Sequence, residues 1–297
     1  MKILITGGAG FVGKYLVEHF AKNHTVLVYD DLSNGTQKDS DYVVTKGAMF
    51  CKGDILNFEE LCKFSRDTDV VIHLAAKSDV SESVIHPEIT NKVNVSGTQN
   101  VLQCCVQNKI KKIIFASSAA IYGDCKDKPI TEKSNANPLS PYGQSKLDAE
   151  KIIADVCNQN NISYVILRMF NVYGKGQNDQ YAGVITKFMQ NVLQKRPVVI
   201  HGNGTQTRDF VSIHDVVDAF SCAINANKSG TYNIASGKSI TINELAQKMF
   251  DVFENTGIIY ESKKNGDIQD SVADVTLARD ELNFVAIRKL EDELTKI

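Results

Sequence analysis

The segment Tyr142-Gly-Gln-Ser-Lys146 sets a phenol and an amine four residues apart. Pro138 and Pro141 precede it, so it opens a helix, where residues i and i+4 lie one above the other on the same face. A free phenol ionises near about pH 10 and is a poor base at neutral pH. An adjacent ammonium favours the phenolate and makes Tyr142 a usable general base, with Lys146 as its electrostatic partner. Upstream, the apolar run 112–117 ends in Ala116-Ser117-Ser118. A hydroxyl from Ser118 at the C-terminal end of a strand can share the proton that Tyr142 moves. Tyr-x-x-x-Lys spacing arises often by chance, and its place after such a strand is what gives it weight.

The elements that must position these groups are legible as an alternation. Strand-like runs lie at 2–6, 25–29, 48–52, 70–74, 112–117 and 163–169, with helical patterns near 11–22, 57–66, 87–108 and 143–160. Ile3-Leu4-Ile5, Val26-Leu27-Val28, Val70-Val71-Ile72 and Ile113-Ile114-Phe115 are apolar on both faces, as strands are when helices cover both sides of a parallel sheet. The pattern predicts a doubly wound α/β sheet of the Rossmann type. After Asn171 the elements become shorter and mixed. Residues 1–170 are thus expected to form a dinucleotide-binding domain and 171–297 mainly a smaller substrate-binding lobe, with an interleaved boundary.

The first strand runs into Gly7-Gly8-Ala9-Gly10-Phe11-Val12-Gly13 and then a helical pattern. That spacing suits a turn whose backbone N–H groups meet a pyrophosphate at a helix N-terminus, although a Gly-rich βα turn is the ordinary alternative. The second strand ends at Tyr29-Asp30-Asp31, seventeen residues after Gly13. An acid there accepts hydrogen bonds from ribose hydroxyls and repels a 2′-phosphate, so NAD is expected rather than NADP. Asp54 and Ile55 follow the third strand, within reach of an adenine, and Ala75-Ala76 after the fourth are small enough to let a diphosphate pass. Gly7, Phe11, Val12, Asp31, Asn34, Leu74 and Asn94 complete the expected cofactor set, which also includes Tyr142 and Lys146. The positive ring of an oxidised nicotinamide would reinforce Lys146 in favouring the phenolate.

Composition excludes more than it names. The 297 residues carry a net charge of −2, with 43% hydrophobic and 23% charged residues, so nothing marks a nucleic-acid or anionic-membrane partner. The seven cysteines, at 51, 62, 104, 105, 125, 157 and 222, form no C-x-x-C pair and read as reduced thiols of a cytoplasmic protein. No signal peptide or membrane span is expected, and His73, His86 and His214 show no metal-ligand spacing. Arginine is scarce: positions 66, 168, 196, 208, 279 and 288 hold all six.

From Met1 to about Asn283 the sequence resembles the extended short-chain dehydrogenase/reductases of the NAD-dependent sugar-nucleotide epimerase/dehydratase family. The resemblance rests on TGGAGFVG (6–13), VIHLAAKSDVSESV (71–84), NVSGTQNVL (94–102), SSAAIYGD (117–124), SPYGQSK (140–146), LRMFNVYG (167–174), RDFVSIHDV (208–216) and GDIQDSVADV (266–275). It implies tightly held NAD, a UDP-sugar substrate, Ser118, Tyr142 and Lys146 as catalytic residues, and a homodimer through a four-helix bundle of helices near 87–108 and 143–160. Val101, Leu102, Cys104 and Cys105 would face either that bundle or the sheet. The implied substrate contacts are Lys77, Ser118, Asn171, Arg208, Lys264 and Ser271. Arg208 would grip the diphosphate, and Lys264 stands where relatives carry a second arginine. Ser271 occupies the position that gates the sugar pocket.

Family members that eliminate water or carbon dioxide resemble one another in an acid just after the Ser or Thr, where this chain has Ala119 and Ala120. The resemblance therefore implies 4-epimerisation of a UDP-hexose through a transient 4-keto sugar, in the glucose/galactose or the N-acetylhexosamine series. A dehydratase or decarboxylase is the alternative, and a non-catalytic NAD-binding regulator the alternative from another class.

Overall fold

Side chains alternate across the strands and so sort themselves between two apolar layers. In the computed structural model, which describes residues 1–177, 183–263 and 268–296, Ile3, Ile5, Val26 and Val28 pack with Leu16, Val17, Phe20, Val216 and Phe220 on one face. Leu4, Leu27, Val71, Ile113 and Phe115 pack with Val101, Leu102, Cys104, Cys105 and Ile153 on the other. Val101, Leu102, Cys104 and Cys105 therefore face the sheet.

The strands, in chain order, are β1 (Lys2–Thr6), β2 (Thr25–Asp30), β3 (Met49–Lys52), β4 (Val70–His73), β5 (Lys112–Ser118), β6 (Ser163–Met169), β7 (Asn171–Tyr173), β8 (Val198–His201), β9 (Thr207–Ser212), β10 (Gly230–Ile234), β11 (Ser239–Thr241) and β12 (Ile258–Glu261). A seven-stranded sheet runs in the order β10-β6-β5-β4-β1-β2-β3, with every neighbouring pair parallel. This is a Rossmann-like α/β fold. The order reverses at β1, so a crevice opens beyond the C-terminal ends of the strands between β1 and β4. β10 comes from the second half of the chain and pairs with β6.

The helices of the first half are α1 (Phe11–Phe20), α2 (Gln37–Thr45), α3 (Phe58–Phe64), α4 (Val80–Ile85), α5 (Pro87–Asn91), α6 (Gly97–Gln107) and α7 (Pro141–Asn160). The helix expected over 87–108 is divided: a π-type turn, Lys92–Ser96, separates α5 from α6. Such widened turns recur near functional sites, and this one carries the buried Asn94. α2 and α4 lie outside the sequence expectation. α2 begins with a reciprocal cap in which Thr36 and Asp39 exchange hydrogen bonds, a Thr-x-x-Asp signal that the sequence does carry. α7 starts on Ser140, whose Oγ accepts from Gly143 N at 3.1 Å, with Pro141 as the first helical residue.

Beyond β7 the chain forms α8 (Val184–Leu193), α9 (Ile213–Asn225), α10 (Ile242–Val252), α11 (Thr276–Leu282) and α12 (Leu290–Leu294). A three-stranded sheet, β11-β9-β7, and the parallel pair β12-β8 surround a separate core of Tyr173, Ile185, Phe188, Val198, Ile200, Leu245, Met249 and Leu294. α9, by contrast, covers the large sheet. Among the described residues no helix is long and apolar enough to cross a membrane, and no His/Cys/Asp/Glu group is arranged to hold a metal ion.

Candidate active site

The glycine turn divides its labour. Gly7 has φ +71°, a left-handed conformation that glycine adopts at little cost, and its N–H bonds Tyr29 O at 2.9 Å. A Cβ at Gly13 would lie 2.5 Å from Gly7 O and from Gly8 Cα, so Gly13 allows α1 to pack on the turn. Gly10 differs. A Cβ there would meet only Gly7 O, at 3.3 Å, and the rest of that space is open crevice. Gly10 is also the N-cap residue of α1, and no side chain caps the helix there. The first N–H groups of α1 are therefore available to an anion.

Asp30 ends β2 beside this turn. Its two oxygens accept from Ala9 N at 3.0 Å and Leu32 N at 2.8 Å. Burial raises its carboxyl pKa, and the two backbone bonds pull it back down. A carboxylate has about four acceptor positions, so two remain for a ligand. The crevice is lined by Gly7, Gly10, Phe11, Val12, Gly13, Asp30, Asp31, Asn34, Asp54, Ile55, Leu74, Ala75, Ala76, Lys77, Tyr142 and Lys146. Asn94 is not in that lining. It lies behind it, 2% exposed, with Oδ1 accepting from Lys77 N at 2.7 Å and Nδ2 donating to Lys77 O at 2.9 Å and Ser145 Oγ at 2.9 Å. Its place is to brace the segment after β4 against α7.

Tyr142 and Lys146 rise on successive turns of α7, and β5 brings Ser118 to them. The Ser118 side chain lies beside the Tyr142 hydroxyl and favours its ionised form, and its Oγ accepts from Ala120 N at 3.1 Å. Lys146 Nζ donates to Ala116 O at 2.8 Å and stands 6.0 Å from the centre of the Tyr142 ring. Burial raises the Tyr142 pKa, against the lowering effect of Ser118, and it pushes the Lys146 ammonium down to about 8. In the protein alone burial keeps the phenol above its usual range, and Lys146 does not bring it to neutral pH. Sequence reasoning had no measure of that burial. It also passed over Ser33, Gly53, Val93, Met169 and Gln177 in the crevice wall. Met169 could have been found as the last residue of β6, and Gly53 as the first after β3.

The second lobe gathers another group around β9. Asn171 Nδ2 donates to Asp209 O at 3.0 Å, Arg208 Nη1 to Thr207 O and Ile268 O at 2.8 and 2.7 Å, and Ser271 N to Thr207 Oγ1 at 3.3 Å. Asp209 ties three segments together by accepting from Ser236 N, Gly237 N and Ala273 N. Asn171, Arg208 and Ser271 are thus placed near one strand, outside the lining of the crevice. Lys264 lies outside the described residues.

This architecture has a family. The chain matches the model of the NAD dependent epimerase/dehydratase family over residues 3–235, and it belongs to that family. Among curated proteins, it is 37% identical over 286 residues to a putative UDP-glucose 4-epimerase of Methanocaldococcus jannaschii, covering 93% of this chain and 90% of that one. Among solved structures, it is similar to a UDP-glucose 4-epimerase of Thermotoga maritima with UDP-glucose, at 31% identity and a TM-score of 0.94, covering 99% and 96% of the two chains. A UDP-N-acetylglucosamine 4-epimerase of Methanobrevibacter ruminantium, in complex with UDP-N-acetylmuramic acid, matches with the same TM-score and coverage at 33% identity. The cofactor of the family is NAD, and this chain's crevice fits it. The uncapped N-terminus of α1 suits a pyrophosphate, Gly10 leaves the room, and Asp30 offers the acceptors for ribose hydroxyls.

Proposed function

We propose that the protein is an NAD-dependent 4-epimerase of UDP-hexoses. NAD, held at the N-terminus of α1 beside Gly10 and Asp30, would supply the acceptor and donor of a hydride at the sugar's C4. The chain's own residues handle the proton: ionised Tyr142 removes it from the O4 hydroxyl, the Ser118 hydroxyl spreads the charge, and the same phenol returns it. Lys146 holds the phenolate by charge. Asn171 and Arg208 hold the substrate, with the planar Arg208 guanidinium suited to bidentate phosphate contact. Lys77, in the crevice wall, and Lys264 belong to the same grip.

The observation that carries this reading is the Ser118–Tyr142–Lys146 group at the crevice, followed directly by Ala119 and Ala120 where an eliminating enzyme needs an acid. The protein is incubated with UDP-glucose and with UDP-N-acetylglucosamine, without added NAD, and the products are resolved by NMR. The C4 epimer is the expected product. A 4-keto-6-deoxy sugar would establish a dehydratase instead, and no turnover of either would favour a regulator.

Solved relatives of both sugar series leave the acyl pocket to this chain's own residues, and Ser271, small and 7% exposed beside Thr207, supports room for an N-acetyl group. Ser271→Tyr is expected to depress turnover of UDP-N-acetylglucosamine about tenfold or more while sparing UDP-glucose, from the clash of a ring with the acyl group. Equal losses on both substrates would sink that role.

A homodimer through the α5–α6 and α7 surfaces accompanies the proposal. Val84 and Ile85 (62% and 63% exposed) and Val80 on α4, with Ile89 on α5, are exposed apolar side chains on two helices packed beside α7, so α4 contributes to the proposed surface. Light scattering should report twice the chain mass, and Val84→Asp/Ile85→Asp should halve it. A monomeric parent protein would overturn this. Free thiols at all seven cysteines suit the reducing cytoplasm.

A further inference from the structure

On successive turns of α7 stand three chemically different side chains, Tyr142, Lys146 and Glu150. Glu150 is a carboxylate only 5% exposed. Arg168 on β6 clamps it: Nε lies 3.0 and 3.2 Å from the two carboxylate oxygens, and Nη2 lies 2.7 Å from Oε2. The Ser117 hydroxyl donates to Oε1. The other arm of Arg168 donates to the Tyr122 hydroxyl at 2.9 Å and to Glu132 O at 3.0 Å, and Tyr122 donates to Asn233 Oδ1 at 2.6 Å. Ser117 and Arg168 face each other across β5 and β6. Glu150 therefore fastens α7 to two strands, one residue short of Ser118.

Lys146 is 3% exposed. Beyond its bond to Ala116 O, its ammonium lies 4.7 Å from the centre of the Phe115 ring, a weak attraction. The titratable groups around it are Tyr142 and Glu150 on its own helix and His73 on β4. His73 is pushed down to about 3 by burial, and its ring nitrogens bond the hydroxyls of Thr6 and Thr98. It is neutral and supplies no charge. Glu150 is the charged group that favours the protonated amine. Arg168 pairs with Glu150, so Lys146, Glu150 and Arg168 together present one net positive charge.

We propose that Glu150 is a positioning residue, which registers the helix of Tyr142 and Lys146 against the strand of Ser118 and keeps Lys146 a cation. The proposal rests on the reading of Tyr142 and Lys146 as the proton-handling pair. A plain structural clamp would affect stability and leave the Lys146 charge alone.

The test follows the charge directly. The NAD-loaded protein is labelled with [13Cε]lysine, and the Lys146 signal is assigned by its loss in Lys146→Arg. Its titration midpoint is expected near the value of about 8 that burial gives it. In Glu150→Gln the midpoint falls by about one pH unit, as expected on losing a nearby opposite charge, and Glu150→Asp restores it. Should the unpaired buried Arg168 unfold Glu150→Gln, Arg168→Gln is read instead: it keeps Glu150 and removes the cation that offsets it, so the midpoint should rise. The acid limb of the turnover profile, which ends at the amine, should move with the midpoint. An unshifted midpoint in whichever variant folds overturns the proposal, whatever happens to the melting temperature. The titration needs no substrate, so an absence of epimer from the parent protein would defeat the activity reading separately.

Discussion

Tyr142→Phe is expected to keep NAD bound and to lower the proposed epimerisation by about 10³-fold, within the range that a positioned acid–base group supplies. The substitution removes one oxygen and keeps the ring, so Ser118 and Lys146 retain their backbone settings, with Lys146 still donating to Ala116 O. Turnover is read by NMR and bound cofactor by its release on denaturation. A rate near that of the parent enzyme would remove Tyr142 from the chemistry. The pH dependence has a sign as well. Burial raises the Tyr142 pKa, so activity climbs as pH rises toward ionisation of the phenol. It levels off where Lys146, at about 8, loses its proton, since each further gain in phenolate is offset by a loss of ammonium. The profile should be a bell whose acid limb ends at the amine and whose alkaline limb lies at the raised phenol.

Gly13→Ala and Gly10→Ala should fail in opposite ways. At Gly13 the added methyl meets the backbone of Gly7 and Gly8, which cannot step aside, and a loss of about 3 kcal/mol of stability is expected. At Gly10 the methyl enters the open crevice. The melting temperature should stay close to that of the parent chain while NAD affinity falls by about 10–100-fold, the equivalent of about 1–3 kcal/mol of steric cost. Calorimetry and cofactor titration separate the two. Equal destabilisation by both substitutions would show that Gly10, too, serves packing.

Much of this was legible because local chemistry and tertiary role coincide. The runs around Ile3, Val26, Val70 and Ile113 are apolar on both faces, and the strands they make are buried on both. Tyr142 and Lys146 share a helix, so their spacing alone places them together. Other features depended on what the chain meets only after folding. Gly230–Ile234 mixes polar and apolar residues, and only its pairing with β6 makes it the edge strand of the large sheet. Asn94 reads as a crevice residue until the π-type turn rotates it behind the wall to hold Lys77. The rise in the Tyr142 pKa comes from neighbours distant in sequence, and spacing does not encode burial. α2 was within reach, since Thr36 and Asp39 spell out its cap.

The origin of β10 has a consequence for how the chain is made. As synthesis proceeds from the N-terminus, β6 emerges with one edge bare, and its partner follows only after β7, β8, β9 and α9 have been made. An unpaired parallel edge is a template for association with other chains, and the non-local pairing that closes it is slow to form. The nascent first half therefore exposes a pairing edge until the second half arrives, and a fragment ending at residue 170 is expected to aggregate.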